Sequence, residues 1–187
     1  DYENAAQLAA RDVSLHNQQG CLSIHAIYSR GDSKHFAELL AMEMEKFCVN
    51  NPPSPISTSE AGAIRILRET TRFCASNDSS TQLWESKDTL NWTVIHQDEP
   101  TLQLSCLNRC VYVKPLPPRL DNDILGTQSA YLSTIAIHPF DKAEATSLEN
   151  LSAHRICPLG KSQQPSLFWH HDGIAPIASL VKWKDIG

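Results

Sequence analysis

The stretch LSIHAIYSRGDSKHFAELLAMEMEKF (residues 22–47) shows two different spacings of its hydrophobic residues, one after the other. In residues 22–28 apolar and polar side chains alternate, which is typical of a β-strand. Residues 33–47 place apolar side chains every three or four positions, as an amphipathic helix does, and Asp32 or Ser33 can cap its N-terminus. A strand followed directly by a helix indicates a layered α/β fold.

The segments on either side add further helices and strands. Three more helices are predicted, over residues 3–15, 57–73 and 142–154, and the second opens with a capping box formed by Ser57 and Glu60. Four more strands are predicted, over residues 81–86, 91–97, 110–116 and 130–138. The last strand is almost continuously apolar, which predicts that it is buried, and residues 155–187 are predicted to be an irregular tail. The whole pattern predicts an α/β fold with a mixed sheet layered with helices.

Composition excludes several classes of function. The 187 residues are 41% hydrophobic and carry a formal charge of -5, with no dense block of lysine or arginine, which argues against nucleic acid as a partner. No apolar run approaches the roughly 18 residues of a membrane span, and residues 1–12 lack the features of a signal peptide. We expect a soluble protein, and a chain that starts at Asp1 predicts a processed product or a piece of a longer protein.

The six cysteines leave two interpretations open. An even number of cysteines, together with sequons at Asn77, Asn91 and Asn150, fits a secreted, disulfide-containing binding domain. Six cysteines in 187 residues are far below the density of a disulfide scaffold. We therefore expect reduced cysteines and a cytoplasmic location.

Cys21 is the first candidate for chemistry. Gly20 permits a tight turn before it, at the junction between a predicted helix and a predicted strand, where side chains are accessible. A nucleophilic cysteine needs such access and a stabilised thiolate. The alternative is a small buried hydrophobic residue, and neither His16 nor His25 is placed convincingly as a base.

Metal and phosphate motifs are weak in this sequence. Residues 169–173, WHHDG, offer adjacent His170 and His171 beside Asp172, but Asp172 and Gly173 are typical of a turn and no helical His pair exists. Cys106 and Cys110 have the wrong spacing for zinc. No two of the seven glycines lie within ten residues, so no glycine-rich phosphate loop can be formed. We predict no metal and expect any nucleotide to be bound mainly outside this chain.

Five segments, in this order, resemble the C-terminal half of the LuxC-type acyl-CoA reductases: AARDVSLHNQQGCLSIHAIY, STSEAGAIRILRE, LSCLNRCVYVKPL, YLSTIAI and RICPLGKSQQPSLFWHHDGIAPIASLVKW. These enzymes belong to the aldehyde dehydrogenase superfamily and supply long-chain aldehyde in bacterial bioluminescence. The resemblance implies that residues 1–187 are a single catalytic-type domain. It also implies that the N-terminal nucleotide-binding lobe lies outside this chain, which would then be incomplete for turnover.

The resemblance implies a role for Cys21. This residue would attack a fatty acyl-CoA or acyl-protein thioester and form an acyl-enzyme, which NADPH would reduce to a fatty aldehyde. A thioester keeps its carbonyl electrophilic, and the backbone amide of Cys21 is a candidate donor to the oxyanion. Ile24 and Asn17 depart from the proline and aspartate expected there, without removing chemistry.

The resemblance also implies cofactor contacts and self-association. Ser105 and Asn108 lie in a segment similar to one near the nicotinamide ribose, although the associated glutamate is missing from it; the alternative is a strand entry with Asn108 in a turn. Superfamily members form homo-oligomers through their catalytic domains. Residues 169–173 match a family signature with no known chemical role. The remaining alternative is an interaction domain that kept the fold and lost catalysis.

Overall fold

A four-stranded mixed sheet forms the centre of the computed structural model, which describes residues 1–178, 180–182, 184 and 186. The helices are α1 (Tyr2–Ser14), α2 (Ser33–Asn50), α3 (Thr58–Asn77), α4 (Asn122–Leu125) and α5 (Lys142–Ser147), with 3-10 turns at Leu15–Gln18 and Gly126–Tyr131. The strands are β1 (Ala26–Ser29), β2 (Thr81–Glu85), β3 (Thr93–Gln97), β4 (Cys110–Pro115), β5 (Thr134–Ile137) and β6 (Arg155–Pro158). The mixed sheet with helices confirms the predicted fold class and is consistent with an aldehyde dehydrogenase-like catalytic domain.

The strand order in the main sheet is β1-β4-β3-β2. β4 runs parallel to both β1 and β3, whereas β2 pairs with β3 in the antiparallel direction. β3 and β4 are buried along almost their whole length, as expected for parallel strands covered on both faces. β5 and β6 form a separate parallel pair.

Helices cover both faces of this sheet. The alanine-rich α1 packs against α2, and both contribute to a core that includes Val94 of β3 and Val111 of β4. Successive residues of a strand point to opposite faces, so Thr93 lies on the other face. There it accepts a hydrogen bond from Arg68 of α3 at 2.9 Å. α1 and α2 are therefore separated from α3 by the sheet.

The predicted start signals of the helices are confirmed. The Asp32 side chain accepts a hydrogen bond from the backbone N–H of His35 at 2.9 Å and caps α2. Ser57 and Glu60 form both halves of the capping box of α3. Both helices extend past their predicted ends, α2 to Asn50 and α3 to Asn77.

Four other predicted segments also differ from the structure. The strand over 22–28 begins only at Ala26, because residues 21 and 22 form a turn. The strand over 130–138 is reduced to β5 and is only half-buried, since it pairs with β6 alone. The helix over 142–154 ends at Ser147 and continues as turns with i to i+3 hydrogen bonds. The tail predicted as irregular contains β6, which a distant partner strand stabilises.

The predicted tail also includes Ser179, Trp183, Asp185 and Gly187, which lie outside the described residues. In the part of the chain that is described, no helix combines the length and the apolar composition needed to cross a bilayer.

Candidate active site

The candidate site lies at the edge of the main sheet where its parallel strands begin. β1, β3 and β4 run in the same direction, so the segments that precede them meet at one edge. These segments are residues 19–25, 88–92 and 105–109. The first contains Cys21 and the third contains Ser105 and Asn108, so the topology brings the sequence-predicted site residues to one edge.

A strained turn precedes Cys21. His16, Asn17 and Gln18 have φ values of 53°, 51° and 62°, in the left-handed region that non-glycine residues rarely adopt. The fully buried side chain of Gln18 holds this turn in place. It donates hydrogen bonds to the carbonyls of Ile24 at 2.5 Å and Cys110 at 2.6 Å, and accepts one from the Cys110 N–H at 3.0 Å. The segment that carries the cysteine is therefore fixed at the start of β4.

Cys21 itself is exposed, in a turn closed by a 3.0 Å hydrogen bond from the Ser23 N–H to the Gly20 carbonyl. The alternative that Cys21 is a buried hydrophobic residue is therefore wrong. A side-chain carbon added at Gly20 would come within 3.2 Å of Gln163 Oε1, so glycine allows a close approach here. Gln163 also donates a hydrogen bond to Ser23 Oγ at 3.1 Å, which adds a contact from the C-terminal region.

The segment before β4 contains a second left-handed turn. Leu107, Asn108 and Arg109 have φ values of 65°, 54° and 61°. Asn108 is 5% exposed, and its Oδ1 accepts a hydrogen bond from Gln19 Nε2 at 3.2 Å. The alternative that Asn108 lies in a turn at a strand entry is confirmed. A role for Asn108 in binding the cofactor remains a prediction.

Ser105 contacts the cysteine segment through His25. Its Oγ lies 3.1 Å from His25 Nδ1. Burial lowers the pKa of His25 below its ordinary value of 6.5, so this ring is neutral at neutral pH. Residues 18–25 are thus joined to residues 105–110 by three side chains, namely Gln18, Gln19 and His25. A role for Ser105 in cofactor binding likewise remains a prediction.

Sequence analysis missed the part that Glu60 takes in this site. Its carboxylate accepts hydrogen bonds from the Ser57 N–H at 2.8 Å, Gln19 Nε2 at 2.9 Å and Asn108 Nδ2 at 3.3 Å. These bonds, those from Ser57 first, lower the pKa of Glu60, so the group is ionised at neutral pH. The capping-box spacing located Glu60 at the helix start, but no sequence signal pointed it toward Asn108.

An open cleft of about 500 Å³ adjoins Asn108. Its walls come from Asn17, the loop 53–56, the first turns of α3, the turn 88–91 and Arg109. No signal in the sequence pointed to this cleft, because segments far apart along the chain form it.

The WHHDG segment, residues 169–173, ends in a turn. Asp172 and Gly173 adopt positive φ values, as the predicted turn requires, and His171 Nδ1 lies 3.0 Å from Asp172 Oδ2. The Trp169 ring packs edge-on against His171 and beneath the Arg155 guanidinium.

In the described ranges no group of three or more acidic, His or Cys residues is arranged to hold a metal ion. All six cysteines are free, so the disulfide-containing alternative has no support in the structure.

Comparisons with known proteins agree with the resemblance found in the sequence. The family model described as acyl-CoA reductase (LuxC) matches residues 1–183. A long-chain acyl-protein thioester reductase of Vibrio harveyi is 24% identical over 187 residues, covering 98% of this chain. The chain spans 38% of the length of that relative. Because the family model covers almost the whole chain, this protein belongs to the LuxC family of acyl-CoA reductases.

Proposed function

We propose that this chain carries the acyl-transfer site of an NADPH-dependent fatty acyl reductase, with Cys21 as the nucleophile. The observation that carries the proposal is an exposed Cys21 in a turn whose flanking residues are hydrogen-bonded to the entry of β4. An accessible thiol on a fixed backbone suits attack on an acyl thioester. The similarity to an acyl-protein thioester reductase supports an acyl thioester as substrate.

In the first step the Cys21 thiolate attacks the carbonyl of a fatty acyl-CoA or acyl-protein thioester. The bond between the acyl carbon and the donor sulfur breaks, and a new bond to Cys21 Sγ forms. The proton lost from Cys21 is balanced by the proton that the departing thiol gains. The backbone N–H of Cys21 is our candidate donor to the oxyanion.

In the second step the acyl group on Cys21 is reduced to an aldehyde. NADPH, when bound, supplies the hydride for this reduction. The carbonyl carbon gains two electrons, its bond to Cys21 Sγ breaks, and Cys21 returns as the thiol after taking up a proton. Cys21 therefore serves both as nucleophile and as leaving group.

The residues present fit a nicotinamide cofactor in part. The Asn108 amide and the Ser105 hydroxyl stand beside the cysteine segment, and Arg109 keeps a buried Nε without a hydrogen-bond partner in the described part of the chain. A glycine-rich phosphate loop is missing from the sequence. We therefore propose that most nucleotide contacts come from a separate lobe, for which the greater length of the relative leaves room. Self-association and a cytoplasmic location remain predictions.

Acyl transfer can be tested with a long-chain acyl-CoA labelled in its acyl group, using the full natural chain. We expect label on the protein that hydroxylamine releases, as a thioester requires, and its loss in Cys21→Ser. Cys74→Ser is the matched control, because Cys74 is also exposed but lies on α3 away from the site. Labelling that survives in Cys21→Ser contradicts the proposal.

A second measurement separates this proposal from a non-catalytic interaction domain. The acylated protein is mixed with NADPH, and free aldehyde is quantified by mass spectrometry. Aldehyde release together with loss of the label is expected for the reductase. A natural chain that never takes up acyl label would instead favour an interaction domain with the same fold.

A further inference from the structure

The cleft beside Asn108 is lined by two guanidinium groups that form no ion pair with the described residues. Arg65, on the first turns of α3, and Arg109, before β4, both line it. Within the described ranges neither makes an ion pair with a carboxylate within 4.0 Å. Of the described residues that line the cleft, Asp88 is the one with an acidic side chain. The lining itself therefore carries two cations and one anion, and the Glu60 carboxylate, which binds Asn108 Nδ2, lies beside it.

Arg109 is the more unusual of these two arginines, because its side chain is buried and the residue is only 4% exposed. Its Nη1 donates hydrogen bonds to the Asn51 carbonyl at 2.9 Å and to Cys48 Sγ at 3.0 Å. Its Nε is buried and lacks a hydrogen-bond partner among the described residues. A buried cation without a counter-ion is strongly unfavourable, so the native state is expected to supply an anion.

The remaining walls suit an oxyanion. Asn17, Asn91 and Asn108 line the same cleft with amide side chains, and amides can donate hydrogen bonds to phosphate oxygens. Guanidinium groups bind phosphate through parallel N–H donors and are well suited to it. A volume of about 500 Å³ is sufficient for a phosphorylated fragment of a nucleotide.

We propose that this cleft binds a phosphate group of a nucleotide substrate, with Arg65 and Arg109 as its ligands. The proposal rests on the proposed function, because fatty acyl-CoA and NADPH both carry phosphate groups. The position of the cleft next to Asn108, at the sheet edge that bears Cys21, places a bound phosphate within the same substrate-binding region. The two nucleotides share this chemistry, and the experiment distinguishes them.

The first test measures binding of inorganic pyrophosphate to the full natural chain by isothermal titration calorimetry at low salt. We expect Arg65→Gln to weaken the affinity about tenfold, as loss of one charge-assisted hydrogen bond implies. Arg72→Gln is the matched control, because Arg72 is an exposed arginine on the same helix outside the cleft. Equal weakening by both variants would indicate general charge attraction and would overturn the proposal.

The second test identifies the source of the phosphate. Affinities for NADP+ and NAD+, and for CoA and 3′-dephospho-CoA, are compared in the unsubstituted protein, Arg65→Gln and Arg109→Lys. The nucleotide whose affinity falls in both variants, and not in Arg72→Gln, is the ligand. Unchanged affinity for all four nucleotides overturns the proposal and leaves an acidic protein segment as the counter-ion of Arg109.

Failure of this proposal is distinguishable from failure of the acyl-transfer function. Acylation of the unsubstituted protein by a phosphate-free thioester, an acyl derivative of N-acetylcysteamine, is recorded separately. Its absence counts against Cys21 as nucleophile, whereas the pyrophosphate titration decides the anion site alone. A urea unfolding curve for Arg109→Lys confirms that this buried substitution leaves the fold intact.

Discussion

Replacing Gln18 with methionine removes the polar side chain that joins the cysteine segment to β4. The substitution keeps a similar length, so the main loss is hydrogen bonding rather than volume. The carbonyls of Ile24 and Cys110 lose the donor that Gln18 provides. The Cys110 N–H loses one acceptor but keeps the Leu107 carbonyl at 3.1 Å. One buried and one partly buried carbonyl lose a donor. At about 1–2 kcal/mol each, these losses predict a decrease of about 2–4 kcal/mol in the free energy of unfolding.

The adjacent Gln19 is the matched control. It is the same residue type, but its side chain is exposed, and its hydrogen bonds to Glu60 and Asn108 are exposed or only partly buried. Gln19→Met should therefore change the free energy of unfolding by less than about 1 kcal/mol. Urea unfolding followed by circular dichroism measures both variants. Equal and small effects would refute the conclusion that Gln18 fixes the turn before Cys21.

Three further predictions concern other positions in the fold. Arg68→Met should lower the free energy of unfolding by about 3 kcal/mol, because Arg68 is buried and donates four hydrogen bonds. Arg72 is exposed, so Arg72→Met should lower the free energy of unfolding by at most about 1 kcal/mol. Urea unfolding measures both variants, and similar decreases would contradict this reasoning. Gly62→Ala should raise the melting temperature, because alanine favours a helix more than glycine does and the space around this position is open. Gly160→Ala should lower the melting temperature, because φ is +85° and the new carbon would lie 2.7 Å from Leu8 Cδ2. A rise in the melting temperature of both variants would contradict the strain inferred at Gly160. Burial lowers the pKa of His96 below its ordinary value of 6.5, so below pH 6.5 the unfolded chain binds a proton more readily than the folded chain does. The free energy of unfolding should therefore fall as the pH drops below 6.5. His96→Gln should reduce this fall in unfolding curves, and an unchanged pH dependence would rule His96 out as its source.

Local signals were sufficient for the helices and the central strands. α1 followed from its alanine-rich composition, α2 from hydrophobic periodicity, and the start of α3 from the capping-box spacing of Ser57 and Glu60. The same signals failed at β5, β6 and the start of β1. Those boundaries depend on a partner strand or a distant side chain, and periodicity carries no information about either.

For the site, the sequence pointed to Cys21 through its place after Gly20, and to Ser105 and Asn108 through its resemblance to the LuxC-type reductases. It could not show that Glu60 and Gln19 complete the contacts of Asn108, because these residues are 48 and 89 positions away in the sequence. It also gave no indication that Arg109 is buried without a counter-ion at a cleft wall.

The sequence by itself determined the layered α/β class and made Cys21 a candidate, since both depend on local pattern and on side-chain chemistry, and its family resemblance added Ser105 and Asn108. Only the tertiary structure decided that Cys21 is exposed, that two left-handed turns meet at the edge where the parallel strands begin, and that a cleft lined by Arg65 and Arg109 adjoins them. The physical reason is that these properties arise from contacts between segments far apart along the chain. Parallel pairing of β1, β4 and β3 is what brings those segments together.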